Sequence, residues 1–353
     1  MSALADTALL VGAERLREIS REILTRVGMG PEDAGITADA LVWADLHGAH
    51  AQGAATKIPQ AVPRIRAGVT RADAKVETLG ERGAFAFLDA NNAWGPVAAT
   101  RGMRVAIARA KAHGIGLAVV RNSSTGCGMG YYPLLAVAER LIGWVMNDSQ
   151  LLQPAWGGKT ATLGNQAFAI AVPAGRHGPL LFDTATTAIT LNKIEQLRDE
   201  GKKLPEGVAL DRSGEATIDP AAALAGTLLP MGGHRGSGLA IMWEVLTGVL
   251  AGGPRFAGNV TGLNDLTQPC GVSFFLLAID PAASMPYAAF TARVDGLIDQ
   301  VHASPPASGV DRVRVPGERG AEMAAQRERD GIPLPAARAA KLRALAAELG
   351  IRW

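Results

Sequence analysis

Apolar residues recur at three- and four-residue spacing through AERLREISREILTRVG and again through DAGITADALVWADLHG, which predicts two amphipathic helices near the start of the chain. Pro31 suits the first turn of the second helix, and Gly30 reads as a stop signal. A third helix, TKIPQAVPRIRAG, is expected to end at Gly68. From about residue 75 the texture changes to short apolar runs: AFAFLDA, GIGLAVVRN, LIGWVMND, FAIAVP and PLLFDTA. Helical stretches and glycines separate them, as expected for strands of a sheet covered by helices. GSGLAIMWEVLTGVLAG reads as a buried helix, and GVSFFLLAID as a strand buried on both faces. After Met285 the helical pattern returns in AAFTARVDGLIDQVHA, GAEMAAQRERDG and AARAAKLRALAAELG, so the C-terminal helices are expected to close back onto the N-terminal ones. The class is α/β, with residues 1–75 and 295–353 forming a helical domain beside a sheet-containing domain over 76–294.

Composition narrows the options. A chain of 353 residues with 48% hydrophobic content can build more than one core, and only 5% aromatics means a core of Ala, Leu and Val. The 35 basic and 33 acidic residues are scattered, without the block that would track phosphates, so nucleic acid is a poor partner. No run of about 18 uncharged apolar residues is present, and no membrane partner is expected. Only Cys127 and Cys270 are present, and the opening MSALADTALLVGAERL lacks a basic, then apolar, leader pattern; a reduced, cytoplasmic setting is expected.

Several motifs occur in a fixed order: ADLHGAHAQG with IPQAVPRIRAG, then NSSTGCGMGYY, DTATT, ALDRSGEATIDP, LLPMGGHRGSGLA, and RVPGERG with DGIPL. Together they resemble the malate/L-lactate dehydrogenase family, which includes ureidoglycolate and sulfolactate dehydrogenases and cyclic-imine reductases. The resemblance covers nearly the whole chain. It implies an NAD(P)-binding fold that is not the Rossmann arrangement, a small carboxylate substrate, and a homodimer with active sites near the subunit interface. The residues agree on the first point, because Gly126, Gly128 and Gly130 do not make the G-x-G-x-x-G spacing.

Reducing a 2-oxo acid or cyclic imine requires a proton donor and a cation for the carboxylate, besides the hydride source. Relatives usually carry a histidine in Ser-His-Gly after the second helix, or in His-Phe-Gly before Gly-Tyr-Tyr. Here the matching triplets are Ala51-Gln52-Gly53 and Thr125-Gly126-Cys127, and neither Gln52 nor Thr125 can relay a proton. The remaining candidates are His47, His50 and Asp148. His47 and His50 share a helix face if the helix runs past Gly48; alternatively His47 caps the helix and His50 is merely exposed. Asp148 is read either as an independent acid or as a turn residue after a buried strand. Two histidines with Asp45 make a weak case for a metal.

For NAD or NADP, the resemblance points to Asn165 and Gln166, where relatives commonly read Gly-Thr-Asn-Pro-Ile, and to Asp183, Thr184, Thr186 and Thr187 after a strand. The turn Met231–Gly236, with Gly233, His234 and Arg235, suits a pyrophosphate, and Arg319 is a further cofactor candidate. The bland alternative is that Asp183 caps a helix and the glycines permit close packing. Arg121 and Arg235 leave the NAD-or-NADP choice open. The leading reading is an oxidoreductase with an atypical proton donor; a lyase or isomerase built on the same fold and a catalytically silent ligand-binding relative stand beside it.

Overall fold

The computed structural model describes residues 8–253 and 256–353; residues 1–7, which open the segment read for a leader, lie outside them. The N-terminal part runs β1 (Ala8–Val11), α1 (Ala13–Arg26), α2 (Pro31–Leu46) and α3 (Ala54–Arg66). Between α1 and α2 the left-handed residue is Gly28 (φ +99°), while Gly30 is extended and caps the start of α2 before Pro31. Gly30 therefore begins a helix instead of stopping one. Helix α2 is also not amphipathic: Ala34, Ile36, Ala38, Ala40, Leu41, Val42, Ala44 and Leu46 are buried around most of its girth. The reason is that it packs against helices on several sides rather than at a surface.

The chain then forms β2 (Glu77–Arg82), β3 (Phe85–Asp89), α4 (Gly95–His113), β4 (Ile115–Ser123), α5 (Tyr131–Ala138), β5 (Ile142–Asn147), β6 (Phe168–Val172) and β7 (Leu180–Thr184). Helix α6 (Leu191–Asp199), the short pair β8 (Ala209–Leu210) and β9 (Thr227–Leu228) around α7 (Pro220–Leu224), and α8 (His234–Glu244) follow. The last elements are β10 (Val272–Ile279), α9 (Tyr287–His302), α10 (Glu318–Asp330), β11 (Ile332–Pro335) and α11 (Ala336–Glu348).

The main sheet has seven strands in the order β2-β3-β4-β10-β5-β6-β7. Only the β3–β4 pair, joined by the crossover helix α4, is parallel. Strand β10 is central and covered on both faces: Phe274, Leu276 and Ala278 join the core under α4 and α5, and Phe275 joins Val119, Met146 and Phe168 on the α8 face. Helix α8 runs on into a wide turn over Val245–Val249. Contrary to the buried helix expected, it leaves Ile241, Met242, Val245, Val249 and Leu250 largely open. The termini do meet. β1 pairs antiparallel with β11, and Leu16, Ile23, Leu41 and Ile58 share one core with Ile332, Leu334, Leu342 and Ala346.

One consequence of the register positions the site. Ser123 pairs with Val272 and Asn147 with Phe274, so β4 and β5 end together at the start of β10. Phe168 pairs with Met146 and with Thr184, which brings the loops before β6 and after β7 to that same end.

Candidate active site

Helix α2 ends at Leu46, and Gly48 (φ +86°) reverses the chain, so His47 and His50 do not share a helix face. His47 caps the helix: its Nδ1 lies 2.8 Å from the Trp43 carbonyl and its ring stacks on Trp43 at 4.1 Å. Burial lowers its pKa. His50 opens a short 3-10 turn, His50–Gln52, and its Nδ1 lies 2.9 Å from Oδ1 of Asp45. Asp45 is fully buried; its Oδ2 accepts the Ala54 N–H at 2.7 Å, where α3 begins. Burial raises the Asp45 pKa against the opposing pull of His50, the Ala54 amide and the Arg327 guanidinium. A Cβ on Gly53 would stand 2.0 Å from Asp45 Oδ1, so only glycine leaves room for this pair. With Nδ1–H donated to the carboxylate, Nε2 of His50 is the nitrogen left to exchange a proton.

Gln52 directs Oε1 into the protein, where it has no partner among the described residues. Thr125 Oγ1 accepts the Cys127 N–H at 3.4 Å. Lys57 sits on the apolar face of α3 with Ala54, Ile58 and Ala61, nearly buried, its Nζ 3.2 Å from Gln60 Oε1. Burial lowers its pKa against an opposing electrostatic pull from the nearby Cys127, whose own thiol is pushed up to about 12 by burial. Asp148 is not part of this group. It follows the buried strand β5 directly and is fully buried on the α8 side, beside Ser273 and Glu244.

The cofactor candidates fall into two groups. Asn165 accepts the Ser149 hydroxyl at 2.7 Å, and its carbonyl accepts the Thr186 N–H at 2.8 Å and hydroxyl at 2.9 Å. Thr186 in turn accepts Gln153 Nε2 at 2.7 Å, and its carbonyl takes the Met231 N–H at 2.8 Å. Gln166 (φ +41°) follows in the same loop, and Thr187 Oγ1 is buried without a partner among the described residues. The glycine turn ends in Gly233 (φ +65°), the N-cap of α8, with no side chain capping the helix; His234 and Arg235 are exposed on its first turn.

Asp183 belongs to the other group. Its Oδ2 accepts the Gly130 N–H at 2.7 Å, ahead of α5, which agrees with the helix-capping alternative. Although the residue reaches the surface, protein atoms packed around its carboxyl push the pKa up to about 6. Thr184 donates weakly to the Ala185 carbonyl at 3.4 Å. A cavity of about 240 Å³ is lined by His47, Leu134, Leu181, Gly317 and Glu318, and Arg319 is exposed one residue further along α10. Arg121 faces other groups: its Nε lies 2.8 Å from Asp89 Oδ2 and its guanidinium over the Phe87 ring.

Comparison with known proteins gives this geometry a context. The malate/L-lactate dehydrogenase family model matches residues 11–343. The chain belongs to this family. It is 33% identical over 343 residues to the malate/(S)-sulfolactate dehydrogenase of Methanothermus fervidus, covering 97% of this chain and 99% of that one. The delta(1)-pyrroline-2-carboxylate reductase of Ancylobacter novellus is 32% identical over 343 residues, covering 96% and 98%. The sulfolactate dehydrogenase structure from Methanocaldococcus jannaschii superposes with a TM-score of 0.92 at 31% identity over 98% of both chains.

This member of the malate/L-lactate dehydrogenase family is therefore an oxidoreductase. Three residues that the structure brings beside the candidate groups were not singled out from the sequence as catalytic or binding residues. Asp45 was weighed only as a metal ligand, because nothing local shows that a reversal at Gly48 folds His50 back onto it. Lys57 could have been found: it is the one lysine of α3, on a buried stripe that is apolar apart from it and Arg64. Glu244 gave no signal, since it comes beside Asp148 only through the packing of α8 on the sheet.

Proposed function

We propose that the chain is an NAD(P)-dependent oxidoreductase acting on a small 2-oxo or 2-hydroxy acid or a cyclic imino acid, with His50 as proton donor and acceptor. The observation that carries this reading is the buried Asp45 carboxylate hydrogen-bonded to His50 at 2.9 Å, two residues from the glutamine that replaces a family histidine. The carboxylate fixes the tautomer and stabilises the imidazolium, so Nε2 gives a proton to the developing alkoxide or amine during reduction and takes it back during oxidation. Lys57, buried, with its Nζ donating to the neutral Gln60 amide oxygen and paired with no carboxylate among the described residues, is the group that offers its charge to a substrate carboxylate. Gln52 and Thr125 hydrogen-bond without titrating.

The residues present fit a pyridine dinucleotide on a non-Rossmann sheet. The first turn of α8 has backbone N–H groups uncapped by any side chain, with Arg235 beside them, as a pyrophosphate requires. Thr187 holds a buried hydroxyl with no partner among the described residues, and Asp183 offers a carboxylate at a strand end. When bound, the nicotinamide supplies or accepts the hydride. We also read the protein as a cytoplasmic homodimer; the open apolar row Ile241, Met242, Val245, Val249 and Leu250 on α8 supports association. Thermal-shift titration with NAD, NADH, NADP and NADPH tests the reading, since a ligand at 100 times its dissociation constant stabilises by about 2.7 kcal/mol. A panel of 2-oxo acids and cyclic imines with NADH or NADPH should then show turnover. No shift with any nucleotide and no turnover overturns it.

A further inference from the structure

The α8 face of the sheet holds an acid pair that the proposed chemistry does not use. Asp148 Oδ1 accepts the Ser273 N–H at 2.7 Å, while its Oδ2 is buried without a partner among the described residues. Glu244, at the end of α8, is 6% exposed; its Oε1 accepts the Ala257 N–H at 2.8 Å and its Oε2 the Gln166 side-chain amide. The two carboxylates flank Gly248: a Cβ there would stand 2.5 Å from Glu244 Oε1 and 3.0 Å from Asp148 Oδ2. Gln166 Oε1, close by, also lacks a donor.

The donors are too few. Three N–H groups serve the carboxylate oxygens of this pair, and Asp148 Oδ2 is left without a partner among the described residues. Strand β10 presents Ser273, the loop before β6 presents Gln166, the turn at 256–259 presents the Ala257 amide, and the wide turn presents Gly248. Glu244 is the titratable group facing Asp148. Two buried carboxylates side by side repel, and burial favours the neutral form of each, so one takes up a proton. A proton on Asp148 Oδ2 also supplies the missing donor.

We propose that Asp148 and Glu244 share one proton at neutral pH, and that this acid pair clasps the 164–168 loop to α8. The consequence for the nucleotide rests on reading the Asn165–Thr186–Met231 network as its wall; the proton itself does not. The clasp joins Gln166, on the loop, to Glu244, where α8 widens, and unusual wide turns of this kind often mark working sites. Burial pushes both carboxyls up. The sign follows: a carboxyl with a raised folded-state pKa binds its proton more tightly in the native state. Its stabilising contribution is complete below the unfolded value near 4 and is lost as pH rises through the folded value. Asp148 and Glu244 are thus positioning residues, acting through Gln166.

The test compares melting temperature from pH 5.5 to 9 for the whole wild-type protein, Asp148→Asn and Glu244→Gln, with NADH affinity at both ends of the range. Wild type should melt lower as pH rises, and each variant, having no second charge to expel, should lose at least half of that alkaline fall. Infrared spectroscopy of the wild type should show a protonated carboxyl that Asp148→Asn removes. NADH affinity of the wild type should weaken several-fold toward pH 9, and that of Asp148→Asn should hold steady. Parallel melting profiles in wild type and both variants overturn the shared proton. Flattened profiles with no difference in NADH pH dependence overturn the clasp. A wild type that binds no nucleotide overturns the cofactor reading instead and leaves the melting comparison to decide the acid pair.

Discussion

At the level of single residues, the proposed relay rests on His50 and Asp45 in place of the histidine that the family resemblance implies at position 52. Gln52 stands where relatives carry an imidazole, and His50, displaced by two positions, reaches a buried carboxylate. General acid–base groups contribute about 10²- to 10⁴-fold to rate, so His50→Ala should cut kcat by at least about 100-fold while leaving nucleotide binding intact by thermal shift. Asp45→Asn should lower kcat as well, because the amide no longer holds an imidazolium; a loss of binding with unchanged kcat would assign His50 a structural part only. Lys57→Met should raise KM for a carboxylate substrate by about 10- to 100-fold, the worth of one charged hydrogen bond. Cys127, buried and with its thiol pushed up to about 12, should resist iodoacetamide at pH 8 in the native protein, as intact-mass measurement can show.

Elements determine whether those residues meet. The turn from α2 into α3 works because Gly53 leaves the space that Asp45 occupies, so Gly53→Ala should eject the carboxylate and reduce kcat about as severely as His50→Ala. A second element-level anchor is Arg64 on α3, fully buried, whose guanidinium donates to the carbonyls of Gly262, Leu263, Asp265 and Gln268. Removing it strands several buried carbonyls at once. Arg64→Leu should destabilise by about 3 kcal/mol or more in urea titration, through the 262–268 loop. Much of this scale was legible in the sequence: each apolar run from AFAFLDA to GVSFFLLAID became a strand, and period alone identified α1 and α9 to α11. The errors came where packing overrides period. Helix α2 is enclosed by other helices and lost its polar face, whereas α8 kept an apolar face open.

At the scale of the whole molecule, that open face has a consequence. If Ile241, Met242, Val245, Val249 and Leu250 are covered by a second copy, Met242→Lys with Val249→Lys should convert the protein from dimer to monomer in light scattering. A monomeric wild type would leave this face without a homodimer partner, and a variant that stays dimeric would place the interface elsewhere. The termini behave as one unit through the β1–β11 pair and a shared core, while the sheet has its own. Helix α9 runs across residue 295, the expected domain edge, and packs Phe290, Val294 and Ile298 with Val172 and Leu180 of the sheet.

The amino-acid order alone determined the main apolar strands and the terminal helices, the ordered motifs of the family, and the absence of histidine at positions 52 and 125, because periodicity and motif order are local properties of a chain. Tertiary structure decided the rest. That Asp45 backs His50, that β10 enters the centre of the sheet, and that Asp148 meets Glu244 across Gly248 are facts about separation in space. Burial, which changes what a carboxyl or a lysine can do, exists only once those separations are fixed.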